Sequence, residues 1–117
     1  MNKVFLTGNI THDLEIKDLS NGTKFMSFKF ATNRKYRKSD GEEVDEATFI
    51  KCVTFGKTAE HLHRLAGKGA PLVIMGRLNN RTLAREEVTI LEVVIESFRY
   101  FGPKAESRDD DTFDPDI

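Results

Sequence analysis

Hydrophobic and polar residues alternate in short runs along most of the chain, and this period of two predicts β-strands. The strands are predicted over residues 3–10, 25–33, 47–55, 72–78 and 88–101, with a weaker one over residues 14–19. Apolar residues recur at helical spacing between Lys57 and Ala66, which predicts one short helix with Thr58 as its N-cap and Gly67 as its stop. Asn21-Gly22 and Asp40-Gly41 are typical of tight turns.

The order of these elements predicts a mainly β fold: a five-stranded oligonucleotide-binding (OB) barrel with one short α-helix between strands three and four. Gly76 interrupts the fourth main strand and predicts a bulge there. We expect the barrel to occupy residues 1–102. Residues 103–117 are rich in Asp and poor in apolar residues, which predicts a disordered acidic tail.

Charge is distributed unevenly between these two parts. The whole chain has 18 basic and 19 acidic side chains, a formal charge of −1. Residues 1–102 hold 16 basic and 13 acidic side chains, a net +3, whereas residues 103–117 hold 2 and 6, a net −4. A mildly basic body suits an anionic partner, although its excess charge is small.

One predicted strand carries an unusual set of side chains. Alternation over residues 49–55 places Phe49, Lys51, Val53 and Phe55 on one face and Ile50, Cys52 and Thr54 on the other. Because an unpaired buried ammonium group is costly, we expect the face with Lys51 to be solvated and to display both phenyl rings. Exposed rings between cations suit unpaired bases and phosphates, whereas a core or a subunit contact is the alternative.

Two basic segments extend this pattern. The polar stretch 34–46 predicts an extended hairpin arm that carries Arg34, Lys35, Tyr36 and Arg37, and the last hairpin carries Arg77, Arg81 and Arg85. Alone, the arm could be an ordinary solvated hairpin, and the three arginines could pair with Glu86 and Glu87. Together with the rings, these residues favour nucleic acid.

Enzyme chemistry, metal binding and cofactor binding find no support in the sequence. His61 and His63 are two residues apart on the predicted helix and face different directions, and Cys52 falls on the inferred core face. We therefore expect a non-enzymatic protein without a cofactor or metal. No signal peptide or membrane-spanning run is evident, so we expect a cytoplasmic location, either with the nucleoid or in a host cell if the source is viral.

Longer stretches of the sequence resemble the bacterial-type single-stranded DNA-binding protein family. The matching stretches are NKVFLTGNI (2–10), NGTKFMSFKFATN (21–33), FIKCVTFGKTAEHL (49–62), LAGKGAPLVIMGRL (65–78) and EVVIESFRYF (92–101). The resemblance implies a homo-oligomeric OB barrel, usually a tetramer, that coats single-stranded DNA without sequence preference in replication, recombination and repair. A primosomal or other assembly protein that uses the barrel for docking is the alternative, and RNA binding stays open.

The resemblance places the stacking positions on Tyr36, Phe49 and Phe55, where the first two are commonly Trp in relatives. A further family aromatic aligns with Leu83, so one stacking contact is in doubt. The DNA-binding residues that we predict are Tyr36, Phe49, Phe55, Lys51, Arg34, Lys35, Arg37, Lys57, Arg77, Arg81 and Arg85.

The tail departs from the family pattern because a long linker is nearly absent. The tail contains the same types of acidic and apolar residues as the partner-recruiting peptide of the family, but they follow one another in a different order. The predicted partner-binding residues are Asp109, Asp110, Asp111, Phe113, Pro115 and Ile117, which would recruit replication and repair proteins. A plain solubilising tail is the alternative.

Overall fold

Five long strands form a closed barrel in the computed structural model, which describes residues 1–85, residues 87–103 and the backbone of residues 112–113. The strands are β1 (Val4–Ile10), β2 (Lys17–Asp18), β3 (Lys24–Arg37), β4 (Glu43–Phe55), β5 (Pro71–Leu83), β6 (Val88–Tyr100) and β7 (Thr112–Phe113). Helix α1 (Gly56–Leu65) lies between β4 and β5 and packs against β3, β4 and β6. The predicted OB barrel, with its helix between the third and fourth main strands, is confirmed.

Barrel closure depends on a close approach between β1 and β3. The strands pair in the order β1-β5-β6-β4-β3-β2, and β1 also pairs with β3, with Asn9 opposite Ala31. A Cβ atom at Gly8 would collide with the backbone oxygen of Ala31. Glycine at this position therefore allows β1 to reach β3.

Strands β4 and β6 meet along a short parallel contact. Only two pairs of residues are in register, Cys52 with Val93 and Val53 with Val94. The residues that precede these pairs in β4 and β6 are not paired with each other, so the two strands separate there. We call this opening the β4–β6 seam.

The core follows the predicted alternation. Phe28 and Phe30 of β3 and Cys52 of β4 are at most 2% exposed, and Leu62 of α1 and Phe98 of β6 pack into the same cluster. Cys52 therefore fills space in the core, as its position in the alternation predicts.

The predicted start of the helix is wrong by one residue, and Thr58 is not its N-cap. The helix begins at Gly56, Phe55 precedes it in an extended conformation, and no side chain caps the first turn. Gly56 has a φ of +61°, which suits glycine and lets the chain turn directly from β4 into α1. Thr58 therefore lies inside the first turn, where it is buried.

Two further elements extend the predicted pattern. The register of β5 against β6 shifts between Met75 and Gly76, so the irregularity lies where it was predicted, but the extra residue is Glu96 of β6, because Met75 pairs with Ser97 and Gly76 with Ile95. In the acidic tail, Thr112 and Phe113 pair antiparallel with Arg99 and Phe98 of β6. The rest of the tail beyond residue 103, on which the prediction of disorder falls, lies outside the described residues.

Candidate nucleic-acid interface

Side chains on the outer face of β3 and β4 form rows across the two strands. The rows on this face are Phe25 with Phe55, Ser27 with Val53, Lys29 with Lys51 and Ala31 with Phe49. Rings therefore lie at both ends of the set, and two cations lie between them. We call these eight residues the ring–lysine face.

The two predicted rings of this face are exposed. Phe49 is 59% and Phe55 42% exposed. Phe55 also packs against Phe25, with 5.2 Å between ring centroids. The contact fixes the Phe55 ring, whereas Phe49 presents the larger accessible surface.

Val53 corrects one detail of the sequence prediction. It shares a face with Phe49 and Lys51 and was expected to be solvated, but it is only 1% exposed. The reason is that β6 joins β4 at this position, where Val94 is the register partner of Val53. A buried apolar contact thus supports the centre of the face.

Lys29 belongs to the site but is absent from the predicted set. It lies directly opposite Lys51, and both side chains line one shallow cavity together with His12. Like charges directly opposite each other repel, so the pair favours an anion between or above them. The alternation of residues 25–33 places Lys29 beside Phe25 and Ala31, so pairing that strand with residues 49–55 could have revealed it.

The hairpin arm differs because acidic residues face its cations. Arg34 lies 3.8 Å from Glu46, Arg37 lies 3.0 Å from Glu43, and Lys35 has Asp45 as its register partner. These pairs are exposed and individually weak, but they offset most of the positive charge that the sequence places there.

Tyr36 is not brought together with Phe49 and Phe55. The register between β3 and β4 continues without a shift, so alternation places Tyr36 on the opposite face of the two-stranded ribbon. Its ring is 36% exposed, and the Arg34 guanidinium lies 4.4 Å from the ring centroid. Tyr36 and Arg34 therefore form a separate ring–cation unit on the arm.

The arginines of the last hairpin have different surroundings. Arg77 and Arg85 are exposed, whereas the Nε atom of Arg81 lies 3.3 Å from a carboxylate oxygen of Glu92. The sequence suggested Glu86 or Glu87 as partners of these arginines. For Arg81 the partner is Glu92, which follows it by eleven positions and lies beside it because β5 and β6 pair antiparallel.

Lys57 lies on α1 rather than on a strand. It lines an open cavity with Lys24, Glu60 and Arg64. The nearby Lys24 ammonium donates a hydrogen bond of 2.6 Å to Asp18, which raises the pKa of Lys24 above its usual value. This cavity is a second basic area. Helix α1 contributes the cations Lys57 and Arg64 to it and also the carboxylate of Glu60.

The side chains of Asp109, Asp110, Asp111, Phe113, Pro115 and Ile117 lie outside the described residues. Within the described ranges, no cluster of three or more His, Cys, Asp or Glu residues could hold a metal ion. In the same part of the chain, no helix is both long and apolar enough to cross a membrane.

With this geometry in place, comparison with known proteins identifies the family. The model of the single-strand binding protein family matches residues 1–101, so the chain belongs to that family. The single-stranded DNA-binding protein of Wolinella succinogenes is 42% identical over 77 residues, which are 66% of this chain and 48% of that protein. The single-stranded DNA-binding protein 1 of Staphylococcus aureus is 34% identical over 107 residues, which are 89% of this chain and 67% of that protein.

Solved structures agree with the fold. The single-stranded DNA binding protein from Thermus aquaticus, in a deletion mutant, superposes with a TM-score of 0.77 at 22% identity over 89% of this chain and 52% of that chain. A Plasmodium falciparum SSB complex with ssDNA gives 0.77 at 21% identity over 87% of this chain and 96% of that chain. At these identities the likeness establishes the barrel alone.

Proposed function

We propose that this protein binds and coats single-stranded DNA without sequence specificity. Phe49 and Phe55 would stack on unpaired bases, while Lys29 and Lys51 would neutralise the phosphates between them. Binding requires no catalysis, in keeping with a family of non-enzymatic DNA-binding proteins.

The observation that carries the proposal is the ring–lysine face. Two large apolar rings stand in solvent beside two lysines that oppose each other across the strands. A surface of this kind is unfavourable in isolation. Exposing apolar rings to water costs free energy, and the two ammonium groups repel each other. An unpaired strand supplies a flat partner for each ring and a negative charge for the lysines. A duplex cannot do so, since its bases are stacked and paired.

A gel shift with matched oligonucleotides tests the proposal. The full chain should bind a single strand much more tightly than the same sequence as a duplex. Binding should weaken with salt, with a slope of about −0.7 per phosphate contact on logarithmic axes. Equal affinity for single strand and duplex would reject the proposal. An RNA strand of the same sequence in parallel shows whether the 2′-hydroxyl matters.

We further propose that the protein acts as a homo-oligomer, a tetramer in keeping with the resemblance, during DNA replication, recombination and repair in the cytoplasm. Light scattering of the free protein measures the oligomer number directly. A monomer at all concentrations would contradict this part while leaving DNA binding intact.

The acidic tail has two proposed roles. It would recruit replication and repair proteins, and a pull-down with the full chain against residues 1–102 tests this, because equal recovery removes the idea. Its five Asp residues between 109 and 117 would also compete with phosphates for the basic face. Deleting residues 103–117 should then tighten DNA binding at low salt, with a gain that shrinks as screening increases.

A further inference from the structure

The shallow cavity beside Lys29 and Lys51 lies on the ring–lysine face, and His12 reaches it from the loop that follows β1. The cavity has a volume of about 240 Å³ and is lined by His12, Ser27, Phe28, Lys29 and Lys51. The loop is held against β3 by Thr11, whose backbone N–H and hydroxyl both donate to the Lys29 carbonyl, at 3.3 Å and 2.9 Å. These bonds keep the exposed His12 ring beside the two lysines.

Hydrogen bonds at both ring nitrogens of His12 match the neutral form of the ring. The backbone N–H of Lys29 donates to Nε2, with 3.2 Å between the two nitrogens. A nitrogen that accepts a hydrogen bond carries no proton, so the ring proton lies on Nδ1, which donates to the backbone oxygen of Asp13 at 3.0 Å. Neither backbone group can exchange its role as donor or acceptor. The neutral Nδ1–H tautomer therefore satisfies both of them.

We propose that His12, Lys29 and Lys51 form a phosphate site that is completed when His12 takes up a proton. Histidine is the side chain whose charge ordinarily changes between about pH 5 and 8. A protonated Nε2 no longer accepts from Lys29, so its N–H and the Lys29 backbone N–H become two neighbouring donors that need an acceptor. A phosphate oxygen accepts from both. The inference rests on the proposed binding of single strands and deepens it, because it names one phosphate contact and its dependence on pH.

The charges around His12 decide which ligand favours the proton. Lys29 of β3 and Lys51 of β4 repel a positive ring, whereas Asp13 brings a carboxylate on the same loop. A bound phosphate attracts all three cations, so it favours the protonated ring. Because linkage is reciprocal, proton uptake must strengthen phosphate binding by the same factor. The affinity for single strands should therefore rise as the pH falls.

A contact of this kind agrees with coating that does not depend on sequence. His12 and the two lysines would meet the backbone of the strand, and every nucleotide supplies the same phosphate group. Each copy of the chain in a homo-oligomer would carry one such site. The site therefore adds a dependence on pH without adding a preference for any base.

A purely structural role for His12 makes a different prediction. Such a role requires only an acceptor for the Lys29 N–H. Glutamine offers a side-chain oxygen as an acceptor but takes up no proton in this pH range. His12→Gln therefore removes the proposed proton while it keeps the structural hydrogen bond.

The test measures the affinity of the full chain for oligo(dT) by fluorescence anisotropy, at about pH 5.5 and about pH 8 and at one salt concentration. Neither thymine nor the phosphate diester titrates in this range, so a change in affinity reports on the protein. The wild-type chain should bind about threefold to tenfold more tightly at the lower pH, a range from an exposed ion pair to a charge-assisted hydrogen bond. His12→Gln should keep the affinity at the higher pH and lose most of the gain.

His63→Gln is the matched control. His63 is exposed on α1 and does not line this cavity, so its replacement should leave the pH dependence unchanged. His12→Lys imitates the protonated ring with a permanent charge and should bind more tightly than the wild-type chain at the higher pH. Calorimetry in two buffers of different ionisation enthalpy measures the protons taken up on binding, and His12→Gln should take up fewer than the wild-type chain.

The outcomes separate the phosphate site from single-strand binding itself. Tight binding of oligo(dT) with equal affinity at both pH values overturns the His12 site and leaves single-strand binding in place. A pH dependence that persists in full in His12→Gln overturns it equally, as does a His12→Lys chain that gains no affinity at the higher pH. Failure of the wild-type chain to bind oligo(dT) at either pH overturns the proposed function.

Discussion

The barrel part of the β3–β4 ribbon and its hairpin arm use the same residue types in different ways. In the barrel part, Lys29 faces Lys51, so charge opposes like charge. In the arm, Arg37 faces Glu43 and Arg34 faces Glu46, so each cation has an acid across the ribbon. Both regions look basic along β3 alone.

The difference shows that the number of cations in a segment does not measure its attraction for phosphate. A cation that already has an acidic neighbour must exchange one partner for another, and the net gain is small. Two opposed lysines gain twice from an anion, because it attracts both and relieves their repulsion. We therefore expect the barrel part to dominate the electrostatics of binding and the arm to add mainly its Tyr36 ring.

The largest expected contrast concerns access to the two regions. Burial raises the pKa of the Cys52 thiol from 9.0 to about 12, so the thiol stays neutral at pH 8. A maleimide or disulfide reagent should label it roughly a hundredfold or more slowly than the unfolded chain, at the rate at which the barrel opens. A cysteine placed in the arm by Ala47→Cys, with Cys52→Ala, should react rapidly because Ala47 is exposed.

Rapid labelling of native Cys52 would contradict a rigid barrel behind the ring–lysine face. The same pKa sets a pH dependence of stability. Burial of the neutral thiol stabilises the fold fully below pH 9.0, and this stabilisation falls as the pH rises from 9.0 to about 12, because the unfolded chain ionises first.

Replacing a ring gives the next largest effect. Phe49→Ala should weaken binding to single-stranded DNA by about 1–3 kcal/mol, the range for loss of one base stack. Because the side chain is 59% exposed, the melting temperature should change little. Fluorescence anisotropy with a labelled oligonucleotide measures the first quantity and circular dichroism the second.

Tyr36→Ala is the companion in the arm and should cost less, since this ring already interacts with Arg34. Unchanged affinity of Phe49→Ala would favour a protein-docking role for the barrel instead. A large fall in its melting temperature would assign Phe49 to packing rather than to stacking.

The sequence was sufficient to predict the barrel and its inner face. Alternation shows which face of a strand each side chain is on, and it correctly assigned Cys52 to the core and Phe49 to the solvent. It failed at Val53, because a residue on the outer face can still be covered when a third strand joins there, as β6 does. Periodicity within a strand carries no information about which strand lies beside it.

Pairing explains the other differences. Lys29 and Glu92 gain their roles from residues that oppose or adjoin them across the sheet, at Lys51 and Arg81. Locating the turns at Asn21-Gly22 and Asp40-Gly41 does not fix the register that follows them. The helix start was missed for a local reason, since the left-handed conformation of Gly56 turns the chain directly from β4 into α1, and no capping side chain marks the start.

Salt dependence separates the two kinds of cation. Lys51→Ala should reduce the slope of log affinity against log salt by about 0.7, the value for one phosphate contact on a single strand. Arg37→Ala should reduce it by less, because Arg37 lies 3.0 Å from Glu43 in the unbound protein. Titrations at a series of salt concentrations measure both slopes, and equal reductions would remove the distinction between barrel part and arm.

The smallest effect is on stability without DNA. Lys29→Met removes one of two opposed lysines and should stabilise the free protein by about 0.2–1 kcal/mol, the size of a cross-strand pair. Lys35→Met is the matched change in the arm, where Asp45 is the register partner, and it should be neutral or slightly destabilising. Urea unfolding of both variants measures the difference. Because Lys29→Met should also weaken DNA binding, opposite signs in the two assays would show that the repulsion is maintained for a ligand, whereas a loss of stability would mean that Lys29 supports the fold.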